Sequence, residues 1–109
     1  MNQRTRIKIC GLTRECDVEA AVDAGADAVG LVTWECSPRH VAPERAAELA
    51  RALPAFVTPT LLFVNASPAQ VTHAVERLPH ALLQFHGDET PAQCRAAGRP
   101  YLRAARVAP

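Results

Sequence analysis

The sequence lacks a surplus of either charge: twelve Lys and Arg stand against eleven Asp and Glu, a formal net charge of +1 at pH 7. Such a balance creates no field for a nucleic-acid backbone or an anionic membrane, so neither partner is expected. Long hydrophobic runs are missing as well. After the basic start from Met1 to Arg6, Lys8 interrupts Ile7-Lys8-Ile9 before any apolar stretch reaches the roughly 7 to 15 residues of a secretory core. Nothing approaches the ~18 apolar residues of a membrane span either. A cytoplasmic location is the expectation. The four cysteines, Cys10, Cys16, Cys36 and Cys94, make no C-x-x-C pair and the histidines no H-x-x-x-H pair. No metal site is therefore expected, and without a secretory signal the thiols are read as reduced.

What remains is ordinary globular material. The 109 residues are 49% hydrophobic and 21% charged, which suits one packed domain over residues 1–109 rather than a disordered chain. Glycine and proline punctuate it clearly. A strand over 6–10 closes at Gly11; Thr13 is then placed to cap a helix carrying Val18, Ala21 and Val22, which Gly25 ends. A strand over 27–33 leads through Ser37-Pro38-Arg39 to a helix opened by Pro43, carrying Ala46, Leu49, Ala50 and Leu53 and stopped by Pro54. The third cycle is a strand over 60–65, a cap at Ser67, Pro68, and an apolar stripe of Val71, Ala74, Val75 and Leu78. The fourth is a strand over 81–86, Thr90-Pro91 as cap and first helical residue, and Gly98 as stop. A fifth strand over 101–107 follows.

This βαβαβαβαβ order predicts a parallel sheet with right-handed crossovers. Two architectures satisfy it: a complete five-stranded doubly wound sheet, or part of a closed (β/α)8 barrel, which needs about twice this length. Strand alternation puts Lys8 and Cys10 on one face of the first strand, and Gln84 and His86 on one face of the fourth. Buried parallel strands are ordinarily apolar throughout, so polar residues on one face of several strands point to a polar, barrel-like interior or its mouth.

Cys10 ends its strand at the carboxyl edge, where parallel α/β enzymes keep their reactive groups. Lys8, on the same face, is placed to lower its thiol pKa, although a free cysteine is commonly just a small buried hydrophobe. His86 fits either a ligand role or a turn before Gly87. Arg39, in the loop after the second strand, is either solvated or a clamp for a carboxylate. Cys16 and Cys94 fall on helices and Cys36 in a loop, and all three are read as structural or incidental.

The combination of Lys8-Ile9-Cys10-Gly11-Leu12-Thr13, Ser37-Pro38-Arg39, Phe63-Val64-Asn65, Leu83-Gln84-Phe85-His86-Gly87 and Asp88-Glu89-Thr90-Pro91, in this order, resembles the phosphoribosylanthranilate isomerases of tryptophan biosynthesis. The resemblance implies a (βα)4β portion of a TIM (β/α)8 barrel, truncated after the fifth strand, and a cofactor-free Amadori rearrangement of a small phosphorylated substrate. It implies Cys10 as general base on the sugar C2 proton and Arg39 as a contact to the anthranilate. Lys8, Gln84 and His86 are the further candidate substrate contacts. In this family an aspartate on the sixth strand is the general acid and the phosphate is held after strands seven and eight, so the chain alone is expected to be inactive. Two departures from the family pattern touch the anthranilate pocket: the second strand ends Leu31-Val32-Thr33-Trp34-Glu35-Cys36, with few aromatics, and His40 follows the arginine. A non-catalytic half-barrel or flavodoxin-like ligand-binding module is the competing reading. Open sheet edges imply self-association or pairing with a carboxy-terminal half.

Overall fold

The computed structural model describes residues 4–104. Five strands alternate with four helices: β1 (Lys8–Cys10), α1 (Glu15–Asp23), β2 (Ala28–Val32), α2 (Pro43–Ala50), β3 (Thr58–Phe63), α3 (Pro68–Arg77), β4 (Leu82–Phe85), α4 (Pro91–Ala96) and β5 (Tyr101–Arg103). All pairings are parallel and the strands lie in chain order, β1-β2-β3-β4-β5. That order decides between the two architectures. A doubly wound sheet reverses its strand order at a switch point, whereas sequential winding is the order of a (β/α)8 barrel wall. The flavodoxin-like alternative is thereby excluded.

The two faces of the sheet differ in kind. Toward the helices point Leu31, Leu61, Phe63, Leu83 and Phe85, buried in one cluster with Val18, Leu49, Ala74 and Cys94, and Val29, buried in a second cluster with Ala21 and Ala26. Phe63 stacks on Phe85 with centroids 5.8 Å apart, and Phe85 meets Tyr101 edge-on at 5.9 Å. Each such large side chain contributes about 1.5–3 kcal/mol by leaving water. The opposite face carries Lys8, Cys10, Gly30, Thr60 and Gln84, because residues paired across a parallel ladder share a side.

Several boundaries move from their sequence-based positions for local reasons. Thr13 is not the cap of α1; Arg14 holds that place in an extended conformation, without a side-chain cap. The helix gains instead from Glu15 and Asp17 in its first turn. β1 begins at Lys8 rather than at residue 6 because the Asp27 carboxylate accepts the Ile7 N–H at 2.8 Å, where a ladder bond would otherwise form. β3 begins at Thr58 and runs through Pro59, a residue with no N–H to donate. It is tolerated there because Pro59 precedes the first β3–β4 pair, Thr60 with Leu82. Asn65 is not in the strand: it turns the chain at φ 50°, a left-handed conformation that asparagine tolerates. α2 stops at Ala50, and Leu53 follows in a tightened turn before Pro54. Ser67 and Thr90 do cap α3 and α4, each within a reciprocal capping box, with Gln70 and Gln93 respectively. Residues 105–107 of the expected fifth strand lie outside the described residues.

Candidate active site

The inner face of the sheet gathers the polar side chains at the carboxyl ends of the strands. Cys10, the last residue of β1, is exposed and pairs in register with Gly30 of β2. A Cβ at Gly30 would sit 2.6 Å from Cys10 Sγ and 3.1 Å from its Cα, so the absence of a side chain there makes the space the thiol occupies. Gly11 next to it has φ +83° and donates to the Gly30 carbonyl at 2.9 Å.

Arg39 reaches the same spot from the β2–α2 loop. Ser37 accepts the Arg39 N–H on its hydroxyl at 3.1 Å, the His40 N–H reaches the Ser37 carbonyl at 3.1 Å, and Val41 returns to the Val32 carbonyl at 2.8 Å. The folded loop lays the Arg39 side chain across Gly11, where any Cβ would collide with its Cδ. Cys10 and Arg39 thus flank one glycine, although 29 residues separate them in the chain.

Lys8 crosses the inner face and its ammonium donates to Gln84 Oε1 on β4. The cation anticipated as the neighbour of Cys10 therefore has its hydrogen bond across the sheet instead. Between these strands, Thr60 is fully buried, and its hydroxyl has no hydrogen-bond partner among the described residues. His86 lies one residue beyond β4, exposed, with its N–H donated to the Phe63 carbonyl at 2.9 Å.

One constellation was invisible in the sequence. Glu89, only 6% exposed, accepts from the Asn65 N–H at 2.7 Å, the Gly87 N–H at 2.8 Å and the Arg103 guanidinium at 3.2 Å. Arg103 also donates to the Gly87 carbonyl at 2.7 Å, and Asn65 Oδ1 accepts the Asp88 N–H at 2.8 Å. A Glu directly after a strand-end Gly-Asp and before a Thr-Pro helix start is the only sequence signal, and nothing local distinguishes it from Asp88.

A cavity of about 560 Å³ lies elsewhere. It opens between α2 and α3 on the helix side, beside Trp34, His40 and His73, and includes none of Cys10, Arg39, Lys8 or Gln84. The candidate site is located by the convergence of polar groups on the inner face rather than by that cavity. Among the described residues, no three His, Cys, Asp or Glu side chains gather to hold a metal ion, and no helix is long and apolar enough to cross a membrane.

Known proteins match both sequence and fold. A family model described as N-(5'phosphoribosyl)anthranilate (PRA) isomerase matches residues 7–107. The N-(5'-phosphoribosyl)anthranilate isomerase of Leptothrix cholodnii is 69% identical over 106 residues, covering 97% of this chain and 48% of that protein. That of Methylibium petroleiphilum is 66% identical over 106 residues, 97% of this chain and 50% of its own length. A crystal structure of phosphoribosyl anthranilate isomerase in complex with reduced 1-(o-carboxyphenylamino)-1-deoxyribulose 5-phosphate superposes with a TM-score of 0.91 at 34% identity, covering 96% of this chain and 55% of that one. The chain spans about half the length of the curated relatives it matches. With a family model covering nearly all of it, the chain belongs to the N-(5'-phosphoribosyl)anthranilate isomerase family.

Proposed function

We propose that these residues form the amino-terminal half of an active site that isomerises N-(5-phosphoribosyl)anthranilate to 1-(2-carboxyphenylamino)-1-deoxyribulose 5-phosphate, a step of tryptophan biosynthesis. The observation that carries this reading is the meeting of Cys10 and Arg39 over Gly11, with Gly30 making room for the thiol. Chemically, opening the furanose breaks the bond between C1 and the ring oxygen, which takes a proton, and leaves C1 doubly bonded to the anthranilate nitrogen. Cys10 Sγ then takes the C2 proton, and the electron pair moves toward C1 and nitrogen to give an enolamine. Tautomerisation with a proton arriving at C1 leaves a ketone at C2. Atoms and electrons balance without an outside oxidant, so the reaction needs no redox cofactor.

Arg39 binds the anthranilate carboxylate, for which a guanidinium fork is suited. Lys8, held by Gln84, brings positive charge to the inner face where the enolamine forms, and His86 contacts the substrate from the β4 end. The proton donor to the ring oxygen and the phosphate cradle come from the remaining βα units of the barrel, which these 109 residues do not include.

The test is a thiol series in the barrel completed with the carboxy-terminal half of the Leptothrix cholodnii relative. Cys10→Ser is expected to lower kcat by about 10²- to 10⁴-fold, the range of a lost general base. Alanine at Cys16, Cys36 or Cys94 is expected to act only through stability. Equal losses at all four positions, or none at Cys10, would overturn the assignment; binding without turnover in the parent would favour a non-catalytic half-barrel.

A further inference from the structure

Resting on that reading, we propose that Glu89 is a positioning residue: its buried carboxylate, clamped by Arg103, ties the β3–α3 and β4–α4 loops together and so fixes His86 over the active face. The carboxylate stands where three elements meet. Oε2 receives the Asn65 N–H at 2.7 Å, from the loop after β3. Oε1 receives the Gly87 N–H at 2.8 Å, from the loop after β4, and the Arg103 Nη1 at 3.2 Å, from β5. No oxygen is left facing an apolar surface, so burial of the charge is compensated by three donors.

The surroundings make the brace rigid. Gly87 passes so close to Asn65 that a Cβ there would lie 2.5 Å from Oδ1 and 2.9 Å from the backbone nitrogen. Asn65 in turn holds the Asp88 N–H at 2.8 Å from its left-handed turn. His86 is then fixed on both sides: its own N–H is committed to the Phe63 carbonyl at 2.9 Å, and the next N–H, on Gly87, is committed to Glu89. The imidazole remains exposed while its backbone is pinned, which is the arrangement a substrate contact needs. The hydrogen-bond partners of Glu89 and Arg103 are Asn65, Gly87 and each other, so they act on the site through His86.

Glu89→Gln separates this role from mere stability. The carboxamide presents an NH2 where one carboxylate oxygen stood, so one of the two backbone N–H groups loses its acceptor in either orientation. In the completed barrel, substrate KM is expected to rise about 10-fold with kcat changed less than about twofold, since a misplaced contact weakens binding. A purely structural loss would lower apparent kcat through the fraction folded and leave KM alone. Arg103→Gln, at a partly exposed residue, is expected to raise KM about threefold.

Amide NMR of the same variants reads the brace without turnover. The Asn65 and Gly87 signals are expected to move and lose exchange protection in Glu89→Gln, while Gly25 at the opposite end stays fixed. Unmoved Asn65 and Gly87 signals would overturn the brace. Moved signals with unchanged KM would overturn its role in positioning His86. If the parent barrel itself shows no turnover, the functional reading fails, and the affinity of parent and variant for reduced 1-(o-carboxyphenylamino)-1-deoxyribulose 5-phosphate decides the positioning role in place of KM.

Discussion

The helix-facing and inner faces of this sheet come from the same five strands, residue by alternate residue, yet they obey different rules. On the helix side β3 and β4 are apolar, with Leu61, Phe63, Leu83 and Phe85 buried and Pro59 half-buried. On the inner side the same strands carry, beside the buried Leu62, Gln84 and a buried Thr60 hydroxyl without a partner among the described residues, and β1 adds Lys8 and an exposed thiol. Such a division lets the helix side supply the cohesion of the fold, so that the inner side can keep polar groups that stabilise nothing by themselves. The edges sharpen the contrast. β2 to β4 pair on both sides, whereas β1 and β5 pair on one side among the described residues, and Ile7, Ile9 and Leu102 stand exposed along them. Open edges seek partners, so the isolated chain is expected to self-associate, read as a concentration-dependent mass in light scattering.

The largest loss of stability is expected from the helix side. Phe63→Ala should destabilise the completed barrel by about 3–5 kcal/mol, from lost transfer energy plus a cavity, while KM for the substrate stays unchanged in the folded fraction. Urea unfolding and steady-state kinetics on one sample check both halves of that statement. On the inner side, Gly30→Ala forces a methyl against Cys10 Sγ and should cost about 1–3 kcal/mol. It should also impair turnover in the molecules that stay folded, which Phe63→Ala should not.

Effects away from both faces should be smaller. Ser67→Ala removes an acceptor for the Gln70 N–H and half of a capping box, worth about 1 kcal/mol, with activity untouched. Smallest is the pH response at Asp27. Chiefly the Arg4 hydrogen bond, with the Ile7 N–H, holds this carboxyl down to about 2 from an ordinary 3.8. The folded value lies below the unfolded one, so the contribution is present above pH ~4 and is lost as pH falls toward 2. Denaturant midpoints of the parent should therefore fall more steeply between about pH 5 and 2.5 than those of Asp27→Asn. Since Arg4 is largely exposed, the difference should be slight.

Most of the helix-side architecture was legible because it is written locally. Pro68 and Pro91 follow Ser67 and Thr90, apolar residues recur at helical spacing, and Gly25 and Gly98 end their helices with positive φ. Alternation alone placed Lys8 and Cys10 on one face. What failed to show was whatever depends on residues far apart in the chain. The third strand reads as starting at residue 60, yet β3 begins at Thr58 and runs through Pro59, which is accommodated because β4 begins opposite Thr60. Lys8 reads as a neighbour of Cys10 until Gln84, 76 residues on, takes its ammonium. Glu89 reads as one more acid before a helix; its partners Asn65 and Arg103 lie 24 and 14 residues away. The strand order that excludes a doubly wound sheet is likewise a property of pairing rather than of any segment.

The proposal that the inner face is half of a site is tested most directly by isomerisation of N-(5-phosphoribosyl)anthranilate by the 109-residue chain, alone and with increasing amounts of the carboxy-terminal half of the Leptothrix cholodnii relative. The expected result is no turnover from either piece alone and a rate that rises with the added half until it saturates. Turnover by the chain alone at the rate of the mixture would contradict it, as would a saturated complex with no turnover at all.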